Sequence, residues 1–345
     1  MDLILNYGND DSESGESGES SKPFDNLLYL AKPVYGGWVT FTAHLSHKHS
    51  IPIYKIAGRN ETFKREYGYE CKYQNINVSE VIKLKNILIT AIDKHYYEYL
   101  HLFPKDTKVI IHDPTECKPN KKNPNPLVQT TDKNETILLN HFKIITIRES
   151  VQEYLMNKFN VKSQFMPHPF YSYELPKCSG LGYECVSISR IDFDKNTDIL
   201  LKCNMLLKDT KKHIQIFGAE NRLYVHHKLK ELNFSDYWKG KFPKNLSPTY
   251  EDCSILKDAK YMIDMSIIKG DGGGTQYTFL EAIHQDTILI LHNDWINVGS
   301  IFKSGYNCIG VSSGEELAEF IEKGLSEKEY QSILKNSKKI LEKHI

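Results

Sequence analysis

From Asn26 onward the chain alternates short β-rich runs with longer stretches in which apolar residues recur at helical spacing. Runs of four to six residues rich in Leu, Ile, Val and Tyr read as strands, and a three-to-four spacing of apolar positions reads as a helix packed on one face. On that basis NLLYLA (26–31) predicts a strand, VYGGWVTFTAHLSHKHS (34–50) a glycine turn and a helix, and IPIYKIA (51–57) a second strand. Next come helices across SEVIKLKNILITAI (79–92) and DKHYYEYLHLF (93–103), strands KVIIH (108–112) and KIITI (143–147), and a helix over SVQEYLMNKF (150–159). After QFMPHPFYSYELPKCSGLG (164–182) the alternation restarts. CVSIS, HIQIFG, YMIDMS and TILILH predict strands, and helices are expected near DILLKCNMLL, LYVHHKLKEL and YEDCSILKDA. A regular βα alternation favours parallel sheets wrapped by helices, so the fold class is α/β.

Length divides this pattern. A chain of 345 residues exceeds one ordinary domain, and the break near 170–180 gives βα domains over 23–172 and 173–325, with a C-terminal helix over 326–345 placed to cross back to the first domain. Residues 9–22, NDDSESGESGESSK, hold acid, Ser and Gly without a large apolar side chain, so 1–22 is expected to be a partly disordered acidic segment. Segment 114–135, rich in Pro, Asn and Lys, predicts a long surface loop.

Charge and cysteine content narrow the function classes. Lys plus Arg and Asp plus Glu each total 44, so no global field favours nucleic acid or an anionic membrane, although KPNKKNPNP and the lysines at 211–212 are locally basic. Seven cysteines without a CxxC pair argue for reduced thiols rather than a disulfide framework or a zinc site. No signal-peptide pattern and no membrane-length apolar run is present, and a cytoplasmic protein without a membrane span is expected.

Candidate chemistry sits in strand-to-helix turns, where open α/β sheets bind ligands. KGDGGGTQYTFLEAI (269–283) places three of the chain's 20 glycines directly before a helix that starts near Gln276 or Tyr277. Unpaired amides at a helix start, together with glycines that let a ligand approach, suit a phosphate, which marks Asp271, Gly272, Gly273, Gly274, Thr275, Gln276, Tyr277 and Thr278. Glu281, a turn further on, suits a pair of ribose hydroxyls; a plain loop with a solvated glutamate is the alternative. In SISRIDFDKNTD (187–198), Arg190 and Lys195 can present two cations to a diphosphate leaving group. Asp192 and Asp194 superficially resemble the DxD that binds a metal in nucleotide-sugar enzymes, and a solvated, ion-paired turn is the bland alternative for the whole segment. His112 ends a strand at VIIHDPTE, and Gly36 and Gly37 form a turn before the first helix. Each also has an ordinary structural explanation, as a hydrogen-bonded loop histidine and a tight turn. His44, His47 and His49 are not at HExxH spacing.

In their order along the chain, the GG turn, the HD after a strand, ITIRESVQEYLMNKFNV with MPHPF, SRIDFDK, IFG, WKGKFP, and KDAKYMIDMS leading to TFLEA and TILIL resemble retaining GT-B glycosyltransferases of the family-four type. The resemblance covers about Asn26 to Gly324. It implies two Rossmann-like domains facing each other across a cleft, with the nucleotide-sugar donor in the C-terminal one. Arg190 and Lys195 would hold its diphosphate, Glu281 the ribose, amides near Thr278 a phosphate, and His112 would lie beside the transferred sugar. Gly36, Gly37 and Gly218 would give backbone room at the donor or acceptor. One departure is Gly273, where the family usually has a second glutamate; Asp271 or Gln276 would then meet the sugar. Within the family, TQYTFLEAIHQDTILILHNDW and AGRNETFKR resemble the DNA alpha-glucosyltransferases of T-even phages. The activity implied is transfer from a UDP-sugar such as UDP-glucose with retention, with no cofactor and no required metal, to an acceptor hydroxyl. On this resemblance the acceptor would be a hydroxymethylated pyrimidine in DNA, or else a glycan, lipid or protein. A metal-dependent GT-A enzyme using Asp192 and Asp194, a sugar-phosphate epimerase, and a non-catalytic nucleotide-sugar or nucleic-acid binding module are the rivals.

Overall fold

The computed structural model describes residues 22–32, 36–56, 73–93, 95–113, 116, 138–172, 182–240, 255–267, 275–296 and 301–345. Their strands form two separate sheets. The first contains β1 (Asn26–Leu30), β2 (Ile53–Ile56), β3 (Tyr73–Ile76), β4 (Ile87–Ile92), β5 (Lys108–Ile111), β6 (Lys143–Thr146) and β7 (Gln164–Phe165), in the spatial order β3-β2-β1-β4-β5-β6-β7. The second contains β8 (Cys185–Ile188), β9 (Gln215–Phe217), β10 (Tyr261–Asp264), β11 (Ile288–His292) and β12 (Ile309–Val311), in the order β12-β11-β10-β8-β9. Every strand pair is parallel. Helices cover them: α1 (Gly37–His49), α2 (Glu149–Phe159), α3 (Thr197–Leu206), α4 (Tyr277–His284), α5 (Gly314–Lys323) and α6 (Glu327–Leu341). With helices on their faces, β4, β8, β10 and β11 are buried at every position, which is why they read as unbroken apolar runs.

The helix expected across 79–92 does not form. Val78–Val81 is a single helical turn closed by a capping box between Asn77 and Glu80, the chain turns at Asn86 with φ +45°, and ILITAI becomes β4 between β1 and β5. A continuous apolar run satisfies either period, and two strand partners decide the matter here. The expected helix at 93–103 is a 3-10 segment over Tyr97–Leu102, and that at 223–232 is a short turn passing into a π-helical turn over Val225–Leu229. Of YEDCSILKDA, Ile255–Lys257 forms a 3-10 turn. The acidic segment before Lys22, residues 57–72 with AGRNETFKR, the loop at 114–135 apart from Glu116, and 268–274 lie outside the described residues.

Each sheet reverses its strand order once, between β1 and β4 in the first and between β8 and β10 in the second. Ligands of such sheets bind beyond the carboxyl ends of strands at these reversals. Polar contacts and packing join the two halves. The Tyr277 hydroxyl of α4 donates to the Pro169 carbonyl at 3.1 Å, and the Tyr171 amide donates to His44 Nδ1 on α1 at 2.8 Å. The His344 carbonyl after α6 accepts from the Phe170 amide at 2.8 Å and from Lys48 Nζ at 3.1 Å, while His344 Nδ1–H donates to the His168 carbonyl at 2.7 Å. One buried apolar cluster contains Phe41 and Phe170 together with Tyr277, Phe279 and Leu341.

Candidate functional site

At the reversal of the second sheet, β8 delivers Ser189 and Arg190 into a loop that rests on the end of β9. The Ile191 amide donates to the Ala219 carbonyl at 2.9 Å and the Asn221 amide returns to the Ile191 carbonyl at 2.8 Å. Gly218 makes this approach possible, since a Cβ built there would lie 1.7 Å from the Ser189 carbonyl oxygen, at φ +154°. Gly218 is therefore required by backbone packing beneath Arg190. Arg190 is 57% exposed and ion-paired with Asp192 at 3.1 Å and Asp194 at 3.3 Å. Asp192 also accepts from Asn221 Nδ2 at 2.9 Å. The DxD carboxylates are thus partnered within the loop.

Lys195 points the other way, toward β10. Its Nζ donates to Ser266 Oγ at 2.7 Å and lies 3.8 Å from Asp264 Oδ2, with the lysine side chain 11% and the aspartate 1% exposed. The Ser266 hydroxyl donates to Asp264 Oδ1, which also accepts from the Ser266 amide at 2.8 Å. Asp264 Oδ2 is buried without a hydrogen-bond partner among the described residues. Asp264 and Ser266 are site residues that sequence reasoning misses, and the available signal is an acid closing an otherwise apolar buried strand, YMID.

Beyond β10 the chain reaches α4. Its N-cap Gln276 has extended geometry and no side-chain cap, so the first amides, at Tyr277 and Thr278, have no capping side chain. Thr275 and Tyr277 are buried. Glu281 is also buried, and its carboxyl accepts no hydrogen bond among the described residues; burial alone pushes that carboxyl up to about 8. Asp271, Gly272, Gly273 and Gly274 fall in the undescribed stretch before α4.

The opposing elements come from the first sheet. Gly36 caps α1 at φ +96°, and no described residue lies within 4 Å of a Cβ built on it or on Gly37. His112 follows β5, buried against Phe41 at a ring distance of 5.2 Å and near Trp38 at 6.1 Å. Its Nε2–H donates to the Thr90 carbonyl at 2.7 Å, so Nδ1 is the unprotonated nitrogen. Burial lowers its pKa to about 4, opposed by that hydrogen bond. Glu116, also missed from sequence, is buried beside it, accepts from the His112 amide at 3.2 Å, and is raised well above the usual carboxylate range by burial. Rings bridge the two sides: Phe41 to His168 at 6.3 Å, His168 to Tyr277 at 5.2 Å, and His44 stacked on Tyr277 at 4.6 Å. The structure therefore gathers Arg190, Lys195 and Gly218 at one reversal, and links His112 through Phe41 and His168 to the start of α4. A separate groove of about 610 Å³, lined among others by Lys108, Lys143 and Lys162, opens at the amino ends of β5 and β6, away from both reversals. Among the described residues no helix is long and apolar enough to cross a membrane, and no cluster of three or more His, Cys, Asp or Glu could hold a metal.

No model of a known protein family matches this chain, and no curated protein sequence does. Solved structures do match. Anabaena HepE, crystallised with UDP and glucose, superposes with a TM-score of 0.61 at 11% identity over 93% of this chain and 95% of its own. An alpha-glucosyltransferase in complex with UDP and a 13-mer DNA containing an HMU base gives 0.61 at 12% identity over 90% and 94%. A glycosyltransferase from Rickettsia africae gives 0.58 at 13% over 94% and 94%. With two parallel Rossmann-like sheets and these neighbours, the chain has the GT-B fold.

Proposed function

We propose that this chain is a retaining glycosyltransferase that moves a sugar, with glucose from UDP-glucose the first candidate, to an acceptor hydroxyl. The observation that carries this reading is the pair of cations at the β8/β10 reversal: Arg190 ion-paired at the surface and Lys195 held in a nearly buried pocket, both at the carboxyl ends of the strands. In the donor complex Arg190 and Lys195 meet the diphosphate together with the uncapped amides at the start of α4. Glu281 accepts from the ribose hydroxyls, an interaction suited to its carboxyl, which is buried and has no partner among the described residues. His112 faces the sugar with Nδ1 as acceptor, and the space that the described residues leave over Gly36 and Gly37 admits donor or acceptor.

During transfer the bond between the anomeric carbon and the β-phosphate oxygen breaks, and a bond from that carbon to the acceptor oxygen forms on the same face. The acceptor proton passes to an oxygen of the departing diphosphate. The cations stabilise charge as it develops, usually the largest catalytic contribution. A metal is not required in this scheme, and the pairing of Asp192 and Asp194 with Arg190 favours it over a DxD metal site; activity retained in EDTA is expected. For the acceptor we favour a hydroxymethylated pyrimidine in DNA, on the likeness to the alpha-glucosyltransferase bound to HMU-containing DNA.

A thermal-shift screen of nucleotide sugars identifies the donor, and UDP release with hydroxymethylated DNA or simple glycans then identifies the acceptor. Arg190→Ala and Lys195→Ala should each lower turnover about 100-fold or more. The exposed pairs lost with Arg190 are worth only about 0 to 1 kcal/mol to folding. Undiminished turnover in both variants rejects the assignment.

A further inference from the structure

We propose that Asp264 is a tethered competitor for Lys195, a buried carboxylate that holds the ammonium while the donor is absent, yields it to the diphosphate, and draws it back as the diphosphate departs. This rests on the donor site proposed above and adds a residue that tunes donor hold and product release.

The geometry separates Lys195 from Arg190. Arg190 is itself exposed and rests on partly exposed carboxylates that solvent reaches, whereas the counter-charge of Lys195 is 1% exposed. The link between the two charges is indirect. Lys195 donates to Ser266 Oγ, and the same hydroxyl donates to Asp264 Oδ1. Oδ2 faces Nζ at 3.8 Å, beyond hydrogen-bond reach, and accepts nothing else among the described residues. No direct hydrogen bond ties the ammonium to the carboxylate, so moving toward a diphosphate breaks only its bond to Ser266 Oγ. The frame around it is fixed. Asn196 Nδ2 donates to the Met265 carbonyl at 2.8 Å, and the Ile267 amide to the Asp194 carbonyl at 3.2 Å, so the Lys195 loop and the end of β10 are tied on both sides. Asp264 therefore acts through Lys195 as a positioning residue, and its own negative charge also opposes a diphosphate drawn close to Lys195.

The test measures the dissociation constants of UDP and of uridine by calorimetry for the full chain, Asp264→Asn and Ser266→Ala. Because the competition concerns only the diphosphate, Asp264→Asn should tighten UDP about tenfold and leave uridine unchanged. Ser266→Ala, which removes the bridge between the charges and leaves the carboxylate, should shift the UDP-to-uridine ratio the same way by less, and it serves alone if Asp264→Asn fails to fold. Combined with Lys195→Met, Asp264→Asn should lose most of its gain. A purely structural role for Asp264 would weaken both ligands together. An unchanged or reduced preference for UDP in the variants overturns the proposal while leaving the donor site standing. Equal affinity for UDP and uridine in the unaltered protein removes the donor site itself, and this proposal with it.

Discussion

Glu281→Gln replaces a carboxyl by a group of nearly the same shape that cannot titrate, which makes the electrostatics of Glu281 measurable against constant packing. Burial raises this carboxyl to about 8, from an ordinary value near 4.5. The folded state therefore holds a proton that the unfolded chain releases. The associated stability is fully present below about pH 4.5, declines as pH rises, and is gone above about 8. At about 1.4 kcal/mol per pH unit, the decline amounts to roughly 4 to 5 kcal/mol. Denaturant unfolding at intervals from pH 5 to 9 should show the unaltered protein losing stability relative to Glu281→Gln by an amount of that order. Ligand binding supplies a second check. Ribose hydroxyls donate to the charged form, so UDP affinity should rise with pH toward 8 in the unaltered protein and stay flat in the variant, with proton release visible as buffer-dependent binding enthalpy. Parallel stability curves and equal pH dependence of UDP binding would refute both the raised acidity and the ribose contact.

Three further outcomes follow from single contacts. Gly218→Ala drives a Cβ into the Ser189 carbonyl at 1.7 Å and should cost about 3 kcal/mol or more, read as a fall in the guanidinium midpoint. His112 is held near 4 by burial, so its contribution is present above about pH 6.5 and lost as pH falls through 4; acid unfolding followed by circular dichroism should begin at lower pH in His112→Gln. Tyr277→Phe keeps the stack on His44 but leaves the Pro169 carbonyl without its donor, for a loss of about 1 to 2 kcal/mol in chemical denaturation.

How far each element is legible follows from its burial. Buried parallel strands such as ILILH and CVSI are marked by their apolar runs, and α4 by its glycine-rich approach and apolar face. Strands β3 (YQNI) and β7 (QF) are polar, partly exposed edges with no such mark. ILITAI is apolar throughout, and its local sequence carries no period that separates helix from strand.

Arg190 and Lys195 are readable because one strand and one turn deliver both within six residues, and Gly36 and Gly37 because a glycine pair before a helix is a local feature. What neighbours Lys195 is set by sheet order. Asp264 lies 69 positions away in the chain, and it meets Lys195 only because β10 pairs with β8. His112, His168 and Tyr277 likewise belong to separate elements until the two halves pack. Local propensity and burial pattern act over a few residues and can name the cations. Charge, acidity and hydrogen-bond supply at a site depend on groups brought within about 4 Å from distant parts of the chain, and those the tertiary structure alone decides.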